Sequence, residues 1–418
     1  MISLLLLPNL INTTEGFTMS HAYIYDAGRT AFGRLGGALS SVRPDDMLAH
    51  VIKTLIQRNN FDLSLYEDVI AGNTNQAGED SRNVARFAGL LAGLPIETGG
   101  ITINRLCGSS MSAVLDAARC VKANEGELFV ACGVESMSRA PLVLSKATSA
   151  FDRNQVLADT TMGARFTNPN VISEFGGHSM PETADNIASD LVISREECDV
   201  FALASQAKYE AARVDGFFND EILPIEVAQV RRKPSISVDA DEHPRPDTEK
   251  AGLDKLRSLF PEGVVTAGNA SGLNDGASAI IIGSEEVGKK SGIKPRGRIL
   301  GGAIAGVPPR VMGLGPVPAT QKALARAGLT LDDMDVMEFN EAFSAQALGC
   351  MKQLDIAFDD PRVNPNGGAI TIGHPLGASG ARIVMTALRQ LERTGGRYAL
   401  ATMCIGIGQG IAVVIERV

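Results

Sequence analysis

The chain has 418 residues and a formal net charge of −9, with 44% hydrophobic and 21% charged residues. The length predicts two or three domains, and the composition is typical of a soluble globular protein. The negative charge argues against nucleic acid as a general partner, although a local cluster of basic residues can still hold an anionic ligand. The six cysteines show no paired or metal-ligand spacing, so we expect reduced thiols, no metal site and a cytoplasmic location.

The first 18 residues contain a short LLLL core, without a basic segment before it or a small-residue cleavage site after it. A secretory signal is therefore a poor interpretation, and we expect residues 1–18 to form a disordered extension. The folded chain should begin near Met19, ahead of the strand-like AYIYDAG. No apolar run approaches the roughly 18 residues that a membrane span requires, so no membrane partner is expected.

The first strand–helix–strand unit carries a cysteine at the start of its helix. Its segments are VIAGN (69–73), ITINRLCGSSMSAVLDAARCV (101–121) and ELFVACGVE (127–135). ITI predicts a buried strand, and the residues after Cys107 predict an amphipathic helix. The apolar stripe of this helix consists of Met111, Val114, Leu115, Ala118 and Val121. Cys107 therefore precedes a helix N-terminus, which favours a thiolate, although most free cysteines are small core residues.

Between residues 137 and 272, helical segments alternate with polar, proline-bearing runs. SREECDVFALASQAKYEAARV (194–214) is an example of the first kind, and RRKPSISVDADEHPRPDTEK (231–250) of the second. We interpret 137–272 as a domain inserted over the active face, because insertions that carry function favour loops. The strand-like TAGNASGLNDGASAIIIGS (266–284) then returns to the first half.

A second unit repeats the order of the first. Its segments are VMEFNEAF (336–343), NPNGGAITIGHPLGASGARIVMTALRQL (364–391) and RYALATMC (397–404). The repeat predicts a duplicated α/β fold with a mainly parallel sheet that is covered on both faces. The predicted boundaries are 19–136 with 273–292 for the N-terminal half, 137–272 for the inserted loop domain, and 293–418 for the C-terminal half.

Four stretches carry side chains that can do chemistry. They contain Cys107, the Asn340–Glu341 pair of NEAF, His374 of GHPLGASGAR, and Cys404 of CIGIGQG. Each has a structural alternative, because His374 and the Asn340–Glu341 pair can cap helices and Cys404 can be a core residue. GIGQG precedes the strand-like IAVVIE instead of a helix, which argues against a dinucleotide fingerprint.

In combination, these stretches place two thiols and an imidazole at corresponding strand ends of a duplicated α/β pair. Ligands bind at such ends in open α/β sheets. A nucleophilic thiolate, an adjacent base and a second acid/base group are what acyl transfer through a covalent thioester requires. No third or fourth ligand is spaced for zinc.

Five motifs follow one another along the chain: NRLCGSS, TAGNASGLNDGA, NEAFSAQAL, NPNGGAITIGHPLGASGAR and CIGIGQG. Together they resemble the thiolase family, from about Tyr23 to the C-terminus. The resemblance implies a five-layer α-β-α-β-α architecture of two duplicated βαβαβαββ-type halves, with an inserted loop domain that holds coenzyme A. It also implies an acyltransferase with no tightly bound cofactor or metal, with CoA as co-substrate, that assembles as a homodimer or homotetramer.

The resemblance implies a role for each reactive residue. Cys107 would accept the acyl group, and His374 would deprotonate it. His374 and a water held by Asn340 would form one oxyanion hole, and the backbone N–H groups of Cys107 and Gly406 a second. Cys404 would move the proton on the acetyl α-carbon.

Contacts with the substrate and CoA are implied at Met180, Ser271, Ala342 and Phe343. Arg245 of DEHPRPD is the first candidate for the CoA phosphates by family position, and Arg231 or Arg232 the second by charge; the alternative is a solvated loop. The chain departs from the His-Met-Gly pattern of many thiolases. Ser179 stands at the histidine position and Pro181 at the glycine position, which removes a side chain usually assigned to pantetheine.

SMPETADN, ESMSRAPLVLSK and DTTMGARFTNP resemble the 3-oxoadipyl-CoA thiolases of aromatic-compound degradation. The expected reaction is CoA-dependent cleavage of 3-oxoadipyl-CoA, or the reverse condensation, with acetoacetyl-CoA or a general 3-oxoacyl-CoA as the alternative substrate. A 3-oxoadipyl chain ends in a carboxylate, whose burial requires a cation. Arg165 is the one cation in DTTMGARFTNP, so we predict that it contacts this carboxylate; the alternative is a surface arginine that pins the loop domain to a partner subunit.

Two other classes compete with this interpretation. A decarboxylating ketoacyl synthase shares the implied fold, but its second half supplies two histidines where this chain has His374 and Cys404. A non-catalytic lipid carrier would be expected to lose the nucleophile or the base, and this chain has candidates for both.

Overall fold

The computed structural model describes residues 20–229 and 233–418. The predicted extension 1–18 and the candidates Arg231 and Arg232 therefore lie outside the described residues. Strands and helices alternate in the first part of the chain. They are β1 (Ala22–Arg29), β2 (Gly33–Arg34), α1 (Pro44–Arg58), β3 (Tyr66–Gly72), α2 (Val84–Ala92), β4 (Gly99–Ile103), α3 (Ser109–Ala123) and β5 (Leu128–Ser136).

The middle of the chain holds short strands and longer helices. They are β6 (Leu142–Leu144), β7 (Leu157–Asp159), α4 (Pro169–Phe175), α5 (Met180–Leu191), α6 (Arg195–Val214), β8 (Ile225–Val227), β9 (Ile236–Val238) and α7 (Lys250–Leu253). The start of α6 follows from a capping box. The Ser194 hydroxyl accepts the Glu197 N–H at 3.1 Å, and the Glu197 carboxylate accepts the Ser194 N–H at 2.7 Å.

The last part of the chain returns to alternating elements. They are β10 (Asn274–Gly283), α8 (Glu285–Ser291), β11 (Gly297–Gly306), α9 (Pro316–Ala327), β12 (Val336–Phe339), α10 (Ser344–Gln353), α11 (Ala369–Ile372), α12 (Leu376–Thr394), β13 (Tyr398–Ile405) and β14 (Gln409–Arg417). The longest of these helices, α12, ends at Gly395, which takes the left-handed conformation common after a helix.

One ten-stranded sheet runs in the order β12-β13-β14-β11-β1-β10-β5-β3-β4, with β2 beside β10. Strands β1 and β11 join its two parts, with Ala22 opposite Ile299. The pairs β3–β4, β3–β5 and β12–β13 are parallel, and the other described pairs of this sheet are antiparallel. The prediction of a mainly parallel sheet is therefore wrong. Strands joined by a short turn, such as β13 and β14, run antiparallel because parallel pairing needs a long crossover.

Side chains that alternate along the strands separate the layers. On β5, Val130 and Cys132 pack in one core with helix α1, whereas Phe129 and Ala131 pack in another with α3 and α12. On the other side of these two central helices, β13 contributes Leu400 and Cys404 to a third core with α9 and α10. Outer helices, sheet, central helices, sheet and outer helices give the predicted five layers.

Two features of the fold bear on its surfaces. The ITI segment, predicted to be buried, lies in β4 at the edge of the sheet, and Ile101 is 50% exposed, so that prediction is wrong.

Among the described helices, none is long and apolar enough to cross a membrane.

Candidate active site

Cys107 lies in the turn between β4 and α3, one residue before Gly108, which caps the helix. The preceding Leu106 has a φ of 46°, a left-handed conformation that is strained for a residue with a side chain. Two side chains support this turn. The Asn104 Oδ1 accepts the Leu106 N–H at 3.0 Å, and the Ser109 hydroxyl donates to the Leu106 carbonyl at 2.6 Å.

The Cys107 thiol is protonated in this environment. Burial is the largest effect and raises its pKa, to about 11, although hydrogen bonds from the backbone of Gly406 and of Cys107 itself act in the opposite direction. The backbone N–H at the helix N-terminus acts in the predicted direction, towards a thiolate, but burial outweighs it in the resting site. A neighbouring base must take the proton before the sulfur can attack.

His374 is oriented as such a base. Its backbone N–H donates to Asn274 Oδ1 at 2.9 Å, and its Nδ1 lies 2.6 Å from the Ser379 hydroxyl. That hydroxyl also lies 2.9 Å from the Pro375 carbonyl, which can only accept, so we assign its one proton to this carbonyl and Nδ1–H as the donor to its oxygen. Nε2 therefore keeps its lone pair. Burial and the charge of Arg382 lower the pKa of His374 to about 3, which keeps the imidazole neutral.

Asn340 faces the same nitrogen. Its amide Nδ2 lies 3.4 Å from His374 Nε2, in the direction expected of a donor to that lone pair. The Asn340 side chain is fully buried, and its Oδ1 has no partner among the described residues. An unpaired buried amide oxygen is a position that an ordered water or a ligand donor commonly occupies.

Glu341 supports the loop in front of His374 and does not face the cysteines. Its carboxylate accepts from the Ser205 hydroxyl at 2.7 Å, from Asn364 Nδ2 at 2.7 Å and from the Ile370 N–H at 3.2 Å. Asn340 and Glu341 do not cap α10, whose cap is Phe343 without a side-chain bond. The bond from the Ile370 N–H, in the first turn of α11, does place the Glu341 carboxylate at a helix N-terminus, as the capping alternative predicted for this residue.

Cys404 lies near the end of β13 and is 1% exposed. Burial raises its pKa well above the ordinary value, and the nearby thiols of Cys107 and Cys350 raise it further. The GIGQG segment is the turn that joins β13 to β14, with Ile407 at a φ of 63°. This turn places the Gly406 backbone beside the Cys107 sulfur, so the two predicted cysteines share one site.

The remaining predicted contact residues lie on several elements. A Cβ added at Gly406 would lie 3.7 Å from the sulfur of Met180, the first residue of α5. The Ser271 N–H donates to the Ala342 carbonyl at 2.9 Å, beside Phe343.

Arg245 lies on an exposed loop, and its guanidinium forms no ion pair or hydrogen bond within the described residues. Ser179 forms the capping box of α5 with Glu182, which is a local reason for a serine there.

A cavity of about 70 Å³ lies next to the turn that holds Cys107. Its lining includes Thr74, Asn75, Leu106, Glu135, Arg165 and Leu376. Leu106 precedes Cys107 and Leu376 lies two residues after His374 in the chain, whereas Cys107 and His374 themselves are not among the lining residues. Arg165 is partly buried there, and its guanidinium has no hydrogen-bond or ion-pair partner in residues 20–229 and 233–418.

Several residues that build the site escaped sequence reasoning. They are Ser205, Asn274, Asn364 and Ser379. Asn364 and Ser379 stand inside the NPNGG and GHPLGASGAR motifs, which are a signal that could have found them, whereas Ser205 lies on α6 without a motif. In the described parts of the chain, no three His, Cys, Asp or Glu side chains cluster as a metal site requires.

Comparison with known proteins identifies the family. Residues 22–286 match the thiolase N-terminal domain, and residues 293–417 match the thiolase C-terminal domain. The chain belongs to the thiolase family. As a thiolase it is an acyltransferase, and its five-layer fold agrees with that family.

Known proteins align with this thiolase over nearly its whole length. It is 54% identical to the beta-ketoadipyl-CoA thiolase of Acinetobacter baylyi, over 96% of this chain and 100% of that one. It is 55% identical to the 3-oxoadipyl-CoA/3-oxo-5,6-dehydrosuberyl-CoA thiolase of Escherichia coli K12, with the same coverage. The structure of human mitochondrial 3-ketoacyl-CoA thiolase in complex with CoA matches with a TM-score of 0.88 and 40% identity, over 96% of this chain and 98% of that one.

Proposed function

We propose that this thiolase cleaves 3-oxoadipyl-CoA with free CoA, yielding succinyl-CoA and acetyl-CoA. The names of two relatives at 54% and 55% identity support this substrate. The observation that carries the proposal is the position of Arg165, a partly buried arginine that lines the same cavity as Leu106, the residue before Cys107. A cation at that place distinguishes a chain that ends in a carboxylate from one that ends in a methyl group.

The first half-reaction begins with proton transfer from Cys107 to His374 Nε2. The resulting thiolate attacks the 3-oxo carbonyl carbon, and the bond between the α-carbon and this carbon breaks. The electron pair leaves as the enolate of acetyl-CoA, which Cys404 protonates, while a succinyl thioester stays on Cys107. The high pKa of Cys404 suits a group that must hold a proton until the enolate forms.

The second half-reaction transfers the succinyl group to CoA. The CoA thiol gives its proton to the Cys404 thiolate left by the first half-reaction, and the resulting CoA thiolate attacks the thioester. Cys107 leaves as a thiolate and takes its proton back from His374. The backbone N–H groups of Cys107 and Gly406 stabilise the oxyanion on the acyl carbon. Asn340 and His374 stabilise the enolate oxygen of the first half-reaction. Each such donor typically contributes a few kcal/mol to transition-state stabilisation.

The environment of Arg165 favours an anionic ligand. Glu135, the carboxylate in the same cavity, accepts the N–H groups of Thr74, Asn75 and Gly377 at 3.0–3.1 Å and the Thr74 hydroxyl at 2.7 Å. These donors occupy Glu135, which forms no ion pair with Arg165. The guanidinium is thereby available for bidentate pairing with the distal carboxylate.

The proposal extends to binding and assembly. Arg245 would contact the CoA phosphates, and Met180, Ser271, Ala342 and Phe343 would line the bound substrate. A homodimer or homotetramer is supported by the exposed Ile101 on edge strand β4, because an open sheet edge is a surface for pairing. All six cysteines are free, which is consistent with a location in the cytoplasm.

A thiolysis panel tests the substrate. We expect kcat/KM to be higher for 3-oxoadipyl-CoA than for acetoacetyl-CoA or a long-chain 3-oxoacyl-CoA. Arg165→Met should lower kcat/KM for 3-oxoadipyl-CoA by about ten- to a hundredfold, the effect of a lost charged hydrogen bond, and leave acetoacetyl-CoA nearly unchanged. Arg153→Met, at an exposed arginine of the same region, is the control. Equal losses on both substrates would make Arg165 structural, and a parent enzyme that prefers acetoacetyl-CoA would refute the substrate.

A further inference from the structure

A buried ion pair joins β12 to α12, the elements next to Asn340 and His374 in the chain. Glu338 belongs to β12, two residues before Asn340, and Arg382 belongs to α12, three residues after Ser379. Arg382 Nη1 lies 3.4 Å from Glu338 Oε2, and neither side chain is exposed to solvent. The pair therefore joins the strand that carries Asn340 to the helix that orients His374.

This pair is poorly satisfied for its depth. Arg382 Nε and Nη2 and Glu338 Oε1 have no hydrogen-bond partner among the described residues. Removing two charges from water is costly, and a single long contact repays little of that cost. The pair is therefore a poor stabilising device, and its presence calls for another reason.

A second buried arginine provides the contrast. Arg29 donates to Glu221 Oε1 at 2.6 Å and to both carboxylate oxygens of Asp241 at 2.6 and 2.9 Å. This bidentate arrangement satisfies the charges and ties β1 to the inserted region, as expected of a structural ion pair. Arg382 lies at equal depth with fewer bonds, and it lies close to the reactive residues.

The charges also act on the reactive residues. Arg382 adds to the effect of burial in lowering the pKa of His374. Burial raises the pKa of Glu338, and the charge of Arg382 opposes that effect. The charges of Glu221, Glu341 and Arg29 also act on Arg382, and those of Glu341, Glu221 and Lys208 also act on Glu338. Burial is the main cause that keeps the His374 imidazole neutral, and Arg382 of α12 adds to it.

We propose that Arg382 and Glu338 are positioning residues of the thiolase reaction, which hold the Asn340 amide and the His374 ring in register across β12 and α12. They touch neither substrate nor CoA and act through the two residues that do. Small displacements of the groups at a reacting centre lower the reaction rate strongly. A pair that contributes little to folding stability can therefore still contribute to the rate by holding Asn340 and His374 in place.

The test measures the acetylation of Cys107 by labelled acetyl-CoA, which needs no particular acyl substrate, and expresses its rate per labelled site. Arg382→Met and the isosteric Glu338→Gln should each lower this rate and kcat by about tenfold or more, with KM for acetyl-CoA within twofold of the parent. Arg382→Lys, which keeps the charge, should recover most of the rate. Arg29→Lys is the matched control, expected to lower the melting temperature and leave the rate per site within twofold.

The outcomes separate positioning from stability. If Arg382→Met and Glu338→Gln reduce only the melting temperature or the number of labelled sites, with parental rates per site, the pair is structural and the proposal is overturned. Should Arg382→Met fail to fold, Glu338→Gln decides alone, because it changes one atom of a side chain. Absence of any label on Cys107 of the parent enzyme would refute the proposed catalytic role of Cys107 instead.

Discussion

A single hydroxyl determines which nitrogen of His374 can act as a base. We assign the Ser379 hydroxyl proton to a hydrogen bond with the Pro375 carbonyl, so that the hydroxyl oxygen accepts from His374 Nδ1–H. Nε2, which faces Asn340, is left without a proton. Since buried imidazoles choose their tautomer by such bonds, the loss of this hydroxyl should misdirect the proton.

Ser379→Ala tests this assignment at the level of one atom. We expect kcat to fall by about ten- to a hundredfold, part of what general acid–base catalysis contributes, with KM nearly unchanged. Thr386→Val is the matched control, because Thr386 is a buried hydroxyl on the same helix that bonds to Glu221 at 3.1 Å, away from the imidazole. Steady-state thiolysis measures kcat for both variants. Equal losses in kcat would show that the effect comes from disturbed packing of α12 and not from the tautomer of His374.

The protonation of Cys107 has its own pH signature. With a pKa of about 11, the thiolate fraction increases with pH through the whole neutral range. Alkylation of Cys107 by iodoacetamide, followed by peptide mass spectrometry, should therefore accelerate about tenfold per pH unit and show no inflection below pH 9. An inflection near pH 7 would mean that the helix N-terminus, and not burial, governs this thiol.

Among the elements, α3 and α12 were the most predictable from sequence. The apolar spacing after Cys107 predicted α3, and the repeat of the first unit predicted α12 after His374. The apolar stripe predicted for α3 is buried. Such spacing is a local property that the sequence displays directly. The strand directions and the exposed face of β4 were mispredicted, because they depend on which distant strands become neighbours.

The active site likewise contains features that local motifs predict and features that depend on contacts between distant residues. The motifs identified Cys107 and His374 as candidates, and the structure places their turns beside one cavity. The bond between Ser205 and Glu341 joins residues 136 positions apart, so no local pattern contains it. The preference of Cys107 for the thiol form was also missed, because burial is a property of the folded chain.

The contact between the two central helices depends on one glycine. A Cβ at Gly380 of α12 would lie 2.4 Å from the Met111 nitrogen of α3. Gly380→Ala should therefore separate the helices and lower the free energy of unfolding by about 1–3 kcal/mol, the usual cost of overpacking. Gly252→Ala, at a helical glycine with open space around it, should stay within about 1 kcal/mol of the parent. Chemical denaturation measures both, and a parental stability for Gly380→Ala would contradict the close contact.

In the whole molecule, the reactive groups come from both parts of the duplicated fold. The turn before α3 supplies Cys107, while elements after β11 supply Asn340, His374 and Cys404. The contact of α3 with α12, and the β1–β11 pairing that joins the sheet, hold these groups at one place. The assembly of the two parts is therefore a condition for the chemistry.

The central claim is that the acyl group of the substrate is carried by Cys107. The most direct measurement mixes the enzyme with 3-oxoadipyl-CoA in the absence of free CoA, quenches in acid and locates the acyl group by peptide mass spectrometry. A succinyl group on the peptide that contains Cys107, absent from Cys107→Ala, is the predicted result. In Cys404→Ala, which lacks the group that protonates the enolate, succinylation should fail while slow acetylation of Cys107 by acetyl-CoA persists. An acyl group on Cys404, or none on either cysteine of the parent enzyme, would contradict the account.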